Sequence, residues 1–166
     1  MQSLITRAES HADGMRVSAE ENPYAKYALK TFAHWTIFLH KTQWPYIGRA
    51  YAWATREVPM HRLSNLTVDE RHELWNHVLP EYEQALQVLF HPDHVNYAWL
   101  GNEVSVHAGH GNLHIIPRYR SVRFHRGIGF HDMRWGANYA PVPPCPIGPL
   151  SETFTLQIRD DIAAVI

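Results

Sequence analysis

The chain has 166 residues, 45% of them hydrophobic and 12% aromatic, which is enough for one domain with a buried core. Its net charge of −1 argues against an extended nucleic-acid surface, and the sequence contains no apolar run long enough to cross a bilayer. The single cysteine, Cys145, excludes an intramolecular disulfide. Together with an N-terminus too polar for a secretory signal, it predicts a cytoplasmic protein.

The first part of the chain predicts a loosely ordered segment, a short helix and two strands. Residues 1–20 show no sustained apolar period and are expected to be loosely ordered. Residues 23–33 predict a short helix with a proline in its first turn. Residues 35–40 and 49–55 are rich in β-forming residues. We therefore expect two antiparallel strands, joined by a turn that ends at Gly48.

A long helix is predicted over residues 66–90. Thr67 and Glu70 have the spacing of a capping box, in which each side chain accepts a hydrogen bond from the backbone of the other residue. Apolar residues then recur at helical spacing as far as Phe90. Pro80 interrupts this pattern, and because it has no N–H group it is expected to kink the helix or to split it.

The second half of the chain predicts two further strands and a less regular C-terminal part. Residues 95–101 predict one strand. The next strand is expected to end near Ile116 or to lie at a sheet edge, because Pro117 has no N–H group to donate to a neighbouring strand. Residues 126–149 are rich in Gly and Pro and predict an ordered but irregular wrap. Residues 151–166 fit either a strand or a helix.

These elements add up to an α+β fold, with mostly antiparallel strands and one long helix packed on a face of the sheet. We expect the main domain to span residues 21–140. The Pro-rich segment and the C-terminal element, residues 141–166, are expected to pack on the same domain, after the loosely ordered N-terminal segment at residues 1–20.

Polar residues stand at alternate positions in the predicted strand around residue 112. His110, Asn112 and His114 would project from one face, because successive strand residues point to opposite faces. The pattern alone leaves three interpretations open: incidental surface histidines, a metal site formed by His107, His110 and His114, or a phosphate site with a nucleophilic nitrogen between hydrogen-bond donors. No acidic or thiolate ligand is obvious nearby, which disfavours the metal site.

The segment HGNLHIIPRY, residues 110–119, resembles the signature of the histidine-triad nucleotide hydrolases and transferases, which usually has three alternating histidines. Residues 38–75, VNYAWLGNEV (95–104) and FHDMRWGANYAP (130–141) are similar, in the same order, to segments of one bacterial branch of that family. The resemblance covers roughly residues 35–140. It implies an antiparallel sheet of about five strands with one long helix across it, a homodimer whose sheets continue across the interface, and no cofactor.

The resemblance also implies a role for individual residues. In the relatives, the middle histidine attacks the α-phosphorus of a nucleotide, and water then cleaves the nucleotidyl-histidine. Asn112 occupies that nucleophile position here, with His110 expected to orient it and His114 expected to contact phosphate. Residues expected to contribute charge or polar contacts to the nucleotide and its phosphates are Arg49, Asn102, Gln43 and His107.

Asn112 departs from the family pattern at the decisive position. Its amide nitrogen is a poor nucleophile, because the lone pair is delocalised into the carbonyl, but the amide still offers a donor and an acceptor. The chain is therefore expected to bind an adenosine or guanosine phosphate derivative and to be inactive or impaired. Asn112 is either natural or a deliberate replacement that traps ligand, and the intact surrounding motifs favour the replacement.

Three functions follow from these alternatives. The first is a hydrolase or transferase that acts on the α-phosphate of a nucleoside phosphoanhydride or phosphoramidate. The second is a natural, non-catalytic nucleotide-binding or sensor protein, and the third is a metal-binding protein.

Two further features bear on the ligand. Trp44 and Trp135 lie in loop-like segments and are candidates for base stacking, and residues 118–126 are basic enough to attract a polyphosphate tail.

Overall fold

The architecture is an antiparallel five-stranded sheet with helices on one face. The computed structural model describes residues 23–56, 58, 60–100, 111–140 and 144–166. The sheet has the strand order β1-β2-β3-β5-β4. These results confirm the α+β prediction of about five strands with a long helix across them. The strands are β1 (Ala28–Thr31), β2 (Trp35–Leu39), β3 (Ala50–Ala54), β4 (His94–Trp99) and β5 (Asn112–Arg118).

The helices cover the face of the sheet that carries apolar side chains, most of them small or aliphatic. Alternate residues of β2, β3 and β5 are buried there, because strand side chains alternate between faces. We call this the core face and the opposite side the site face. The core-face residues of the three central strands are Trp35, Ile37, Leu39, Ala50, Ala52, Ala54, Leu113 and Ile115.

The prediction of a helix over residues 23–33 is wrong. Only Ala25–Tyr27 form a short 3₁₀ helix, and β1 follows directly. β1 pairs antiparallel with β2, and the hydroxyls of Thr31 and Thr36 are 3.1 Å apart across that pair. One edge of β2 was free to pair with this segment. Pairing with β2 therefore outweighed the modest helical preference of its residues.

The long helix is confirmed, and it passes Pro80 without a break. It consists of α1 (Val68–Glu73), a π-helical turn (Leu74–Val78) and α2 (Leu79–Leu89). Thr67 and Glu70 form the predicted capping box, with N–O distances of 3.2 and 2.7 Å. The backbone N–H of Leu79 donates to the carbonyl of Leu74, five residues back. Pro80 has no N–H group to donate to a carbonyl of the preceding turn. The wider π-helical turn just before it accommodates the proline, so the helix is not split.

β5 continues through Pro117, where the sequence predicted that it would end. β4 pairs with β5 as far as Arg118, whereas β3 begins at Ala50 opposite Ile115. Pro117 therefore lies beyond the residues that pair with β3, and its missing N–H removes no bond to that strand. A central strand accepts this proline because one of its neighbours has already ended.

The C-terminal part is more regular than predicted. A hairpin, β6 (Arg123–His125) and β7 (Ile128–Phe130), opens the segment that the sequence predicts to be an irregular wrap. Its turn residues, Arg126 and Gly127, have φ angles of 48° and 80°, which suit a two-residue hairpin turn. The final element is a helix, α3 (Glu152–Ala163), with the side chain of Ser151 as its N-cap.

Helix α3 packs beside the start of the sheet. Its inward residues, Ile158 and Ile162, belong to the same apolar core as α2 and the core face. None of the helices in the described ranges is both long and apolar enough to span a membrane. The prediction for residues 1–20 lies outside the described residues, and a cytoplasmic location stays a prediction from the sequence.

Candidate functional site

The site face carries polar and aromatic side chains on three neighbouring strands. The register places Phe38 opposite Tyr51, Tyr51 opposite His114, and Trp53 opposite Asn112. Directly opposed residues of antiparallel strands lie on the same face, so these side chains form one continuous surface. Asn112 and His114, which the sequence placed in one row, both belong to it, and both are buried, at 6% exposure.

Arg49 brings a buried positive charge to this surface. Its side chain is 1% exposed, and its guanidinium Nη2 lies 3.5 Å from Nδ1 of His114. The guanidinium also lies 5.3 Å from the centre of the Tyr139 ring. A cation next to an imidazole, both largely shielded from water, makes a favourable position for a phosphate group, since screening by solvent is weak there.

Gln43 holds the turn that carries Arg49. Its Nε2 donates to the carbonyls of His40 at 2.5 Å and Arg49 at 2.9 Å, and its Oε1 accepts from the N–H of Gly48 at 2.7 Å. The residue is fully buried. The predicted direct contact between Gln43 and phosphate is therefore replaced by a structural role, because its amide groups are engaged inside the turn.

The turn requires a glycine at position 48, for two reasons. Its φ is +81°, in the left-handed region that other residues rarely adopt. A Cβ atom at this position would lie 2.4 Å from Cδ2 of Leu86 on α2. The glycine therefore allows the turn to pass close to the long helix, and it fixes where Arg49 enters the site face.

His40 is a member of the site that the sequence interpretation missed. Its ring centre lies 5.5 Å from that of Tyr51 and 6.3 Å from that of His114. Its Nδ1 lies 3.0 Å from the backbone N and 3.1 Å from the backbone O of Thr42, so the residue after next holds the ring in place. Burial, followed by the nearby charges of Arg49 and His114, lowers the pKa of His40 to about 3. His40 is thus neutral at physiological pH.

Acid is expected to destabilise the fold through His40. Its pKa falls from 6.5 to about 3 on folding, so below about pH 6.5 the unfolded chain binds a proton that the folded chain excludes. Stability should therefore decrease as the pH falls from about 6.5 towards 3, by about 2 kcal/mol at pH 5 from this residue. Urea unfolding of the native chain and of His40→Asn at pH 7 and pH 5 measures the effect.

The control for this measurement is His61→Asn, which changes an exposed histidine outside the site face. The His40→Asn protein should lose less stability between the two pH values than either the native chain or the control. An equal loss in all three proteins would show that His40 does not carry the pH dependence.

Aromatic rings line the site face beside His114. Tyr51 and Trp53 stack with centres 5.9 Å apart and an interplanar angle of 18°, and Phe38 lies 5.3 Å from Trp53. Trp44, one of the two predicted base-stacking residues, is instead a packing residue. It is 8% exposed and its ring contacts Phe130 at 5.8 Å between centres. The apolar contacts available to a ligand beside His114 therefore come from strands β2 and β3. The alternating pattern of these strands in the sequence was the feature that could have predicted them.

Asn112 contributes a buried hydrogen-bond acceptor. Within the part of the chain that the structure describes, its Oδ1 has no hydrogen-bond partner. The preceding residue, Gly111, donates its N–H to the carbonyl of Met60 at 2.8 Å, which anchors the start of β5. The predicted site residues His110, Asn102 and His107 lie outside the described residues, so the site known from the structure consists of Asn112, His114 and their neighbours.

A segment after the hairpin, residues 132–140, forms a wall along the site face; we call it the wall segment. Arg118 fixes it, because its guanidinium bonds Asp132 at 2.6 Å and the carbonyls of Arg134 and Ala137 at 2.7 and 3.1 Å. At the other end, the N–H of Ala140 donates to the hydroxyl of Tyr46 at 3.1 Å. The resemblance of residues 130–141 to one branch of the histidine-triad family was noted from the sequence, but it did not predict this role.

The described residues do not favour a metal site. Among residues 23–56, 58, 60–100, 111–140 and 144–166, no group of three or more His, Cys, Asp or Glu side chains is arranged to hold a metal ion. His107 and His110, two of the three ligands considered from the sequence, fall outside these ranges. The donor set that the structure does describe, an arginine with two imidazoles, suits an anion better than a cation.

The fold, compared with known proteins, is that of the histidine-triad group. No protein-family model matches the chain, and no curated protein matches it. A hypothetical histidine triad nucleotide-binding protein from Sulfolobus tokodaii strain 7 superposes with a TM-score of 0.57 at 13% identity, covering 84% of this chain and 82% of that chain.

Two further structures give the same result. A HIT-like protein involved in cell-cycle regulation from Bartonella henselae has a TM-score of 0.54 at 16% identity, covering 89% of this chain and 90% of that chain. A histidine triad protein from Bradyrhizobium japonicum has a TM-score of 0.52 at 17% identity, covering 84% of this chain and 89% of that chain. At these identities the likeness concerns the fold, and the chain has the histidine-triad fold.

Proposed function

We propose that this chain binds a nucleoside phosphate on the site face, with the α-phosphate between Arg49 and His114. The observation that carries the proposal is the buried contact between these two side chains, 3.5 Å apart. The neutral imidazole of His40 and the rings of Tyr51 and Trp53 surround that position and suit the sugar and base of an adenosine or guanosine derivative. The bacterial branch of the histidine-triad family is proposed on residues 95–104 and 130–141.

The reaction proposed for this site is nucleotidyl transfer to water or another acceptor. A histidine at position 112 would attack the α-phosphorus, and the bond to the leaving oxygen or nitrogen would break as the new N–P bond forms. Water would then cleave the N–P bond and restore the imidazole. The amide of Asn112 cannot supply the attacking lone pair, so we propose that this chain binds substrate but is inactive or impaired in hydrolysis.

A second candidate function is a non-catalytic nucleotide sensor with a natural Asn112. The observation that favours it is the buried Oδ1 of Asn112, which has no protein partner within the described residues and can accept a hydrogen bond from a ligand. The coding sequence of the source gene distinguishes the candidates. An asparagine codon favours the sensor, and a histidine codon favours an enzyme whose nucleophile was replaced.

Calorimetry with AMP and GMP tests nucleotide binding directly. The native chain should bind one mononucleotide per site, and Arg49→Met should weaken binding about ten- to a hundredfold, because it removes a charge-assisted hydrogen bond to phosphate. The matched control is Arg126→Met, which removes an exposed arginine from the hairpin turn. Binding that is absent from the native chain, or equally affected by both substitutions, would contradict the proposal.

We also propose that the protein is a homodimer joined along β4. This strand is last in the order of the described sheet. Its own Tyr97 is 36% exposed, and the ring of Trp75, in the long helix and 52% exposed, lies 6.5 Å from the Tyr97 ring between centres. Sedimentation should give a dimer for the native chain and a monomer for Trp75→Lys. Phe124→Lys, which changes a 79% exposed residue on the hairpin, should leave the dimer intact. A native monomer would refute this assembly.

A further inference from the structure

Tyr139, near the end of the wall segment, covers the arginine of the proposed phosphate site. The guanidinium of Arg49 lies 5.3 Å from the centre of the Tyr139 ring, within the distance of about 6 Å over which an aromatic face attracts a cation. Arg49 is 1% exposed, and this attraction is stronger where water is excluded. The reaction proposed above gives Tyr139 no role, although it contacts the same guanidinium that lies against His114.

The Tyr139 ring is held in place by a second tyrosine. Tyr46, which is fully buried, meets it edge to face, with ring centres 6.3 Å apart and an interplanar angle of 73°. The hydroxyl of Tyr46 also accepts a hydrogen bond from the N–H of Ala140, the next residue along the wall segment. Both the ring and the backbone beside it are therefore fixed by a core residue, independently of any ligand.

Two arginines lie at the ends of this pair of tyrosines. The guanidinium of Arg118 lies 5.5 Å from the centre of the Tyr46 ring, and that of Arg49 lies against Tyr139. Arg118 is neutralised by Asp132, with an N–O distance of 2.6 Å. Arg49, at the other end of the row, lies beside the imidazole of the proposed phosphate site. The row therefore links the anchored wall segment to the position proposed for the α-phosphate.

The aromatic contact of Arg49 differs in kind from the ion pair at the other end of the row. A carboxylate cancels the charge of an arginine and accepts its hydrogen bonds, as Asp132 does at Arg118. An aromatic ring attracts the cation through its quadrupole, so the contact with Tyr139 neither cancels the charge of Arg49 nor uses its N–H groups. Tyr139 can therefore fix the guanidinium and still allow it to bind a phosphate oxygen.

We propose that Tyr139 is a positioning residue for phosphate binding. It holds the guanidinium of Arg49 beside His114 and shields it from water, and it leaves the positive charge to act on the phosphate. Tyr139 acts through Arg49 rather than by touching the phosphate itself. The inference rests on the proposed function, because it takes the position of the α-phosphate from it. It adds to the phosphate site a residue outside the sheet, and it gives the wall segment a role in nucleotide binding.

Calorimetry with AMP and with adenosine tests this role, because the two ligands differ in the phosphate alone. Tyr139→Leu should weaken AMP binding about tenfold and leave the affinity for adenosine unchanged, since the lost cation–π contact acts on phosphate recognition. Tyr139→Phe keeps the ring and should bind AMP like the native chain. AMP binding to Tyr139→Leu should also weaken more steeply with added salt, because its guanidinium is less shielded. The matched control is Met133→Leu, which changes a 73% exposed residue of the same segment and should bind both ligands like the native chain.

A fluorinated phenylalanine at position 139 gives a second test that keeps the shape of the ring. Fluorine withdraws electron density from the ring face and weakens its attraction for a cation, so this variant should bind AMP several-fold more weakly than Tyr139→Phe. Equal affinities of all the variants for AMP, or equal losses with AMP and adenosine in Tyr139→Leu, would overturn the positioning role and leave the proposed function standing. A native chain that does not bind AMP would remove both.

Discussion

Replacing Asn112 with histidine should convert the chain into an active nucleotide hydrolase. The substitution places an imidazole on the site face two residues from His114, the side chain that lies against Arg49, at a position where the amide cannot attack phosphorus. We expect at least a hundredfold increase in the rate of AMP release, because the histidine provides a covalent route that divides one displacement into two easier steps. Chromatography of reactions with diadenosine tetraphosphate and with an AMP-amidate measures the rate, and protein denatured in alkali, where the N–P bond of a nucleotidyl-histidine survives, should carry bound AMP.

The matched control is Asn112→Gln, which changes the size of the side chain but supplies no nucleophile. The double variant Asn112→His with His114→Ala should lose most of the gained activity, since His114 is expected to contact the phosphate. Hydrolysis by neither the native chain nor Asn112→His would remove the enzyme interpretation and leave the nucleotide sensor as the function of this fold.

Removal of the Arg118 guanidinium should cause the largest loss of stability of any single substitution proposed for this chain. Arg118 and Asp132 are 5% and 0% exposed, and their contact is 2.6 Å. Arg118→Met would leave the Asp132 carboxylate buried without its cation and two wall-segment carbonyls without a donor. The expected cost is about 3–5 kcal/mol, because breaking one side of a buried pair leaves an uncompensated charge. Urea unfolding measures this cost.

Another arginine–aspartate pair provides the matched control. Arg126 and Asp161 form a bidentate contact at 2.7 and 2.9 Å, but they are 44% and 24% exposed. Arg126→Met should change the free energy of unfolding by less than about 1 kcal/mol, since exposed pairs are screened by water. If the two substitutions cost the same, the burial of Arg118 is not what makes its ion pair important.

The parts of the fold that were predictable depend on local patterns. The capping box at Thr67 and Glu70 identified the start of the long helix, and the alternation around Tyr51 identified β3. Such signals depend on residues a few positions apart, so they are visible in the sequence. The strand at Ala28–Thr31 was missed for the opposite reason: its conformation is decided by β2, which lies outside the local pattern.

The site could be predicted only in part for the same reason. His114 and Arg49 followed from the family resemblance, and the structure adds their proximity. His40 was missed because it lies 74 positions before His114 in the sequence. Only the folded sheet brings the two side chains together. The polar contact of Gln43 with the nucleotide was an expectation from the family resemblance, which does not reveal that the turn engages both the Nε2 and the Oε1 of that amide.

The Gln43 turn has a consequence for how an anion would be captured. The turn is locked by three hydrogen bonds and by the close passage of Gly48 against α2, so the backbone that carries Arg49 is fixed before any ligand arrives. An arginine on a mobile loop would lose up to about 2 kcal/mol of rotamer entropy on immobilisation. Here that ordering is completed during folding, so capture of the anion needs little reorganisation of its receptor.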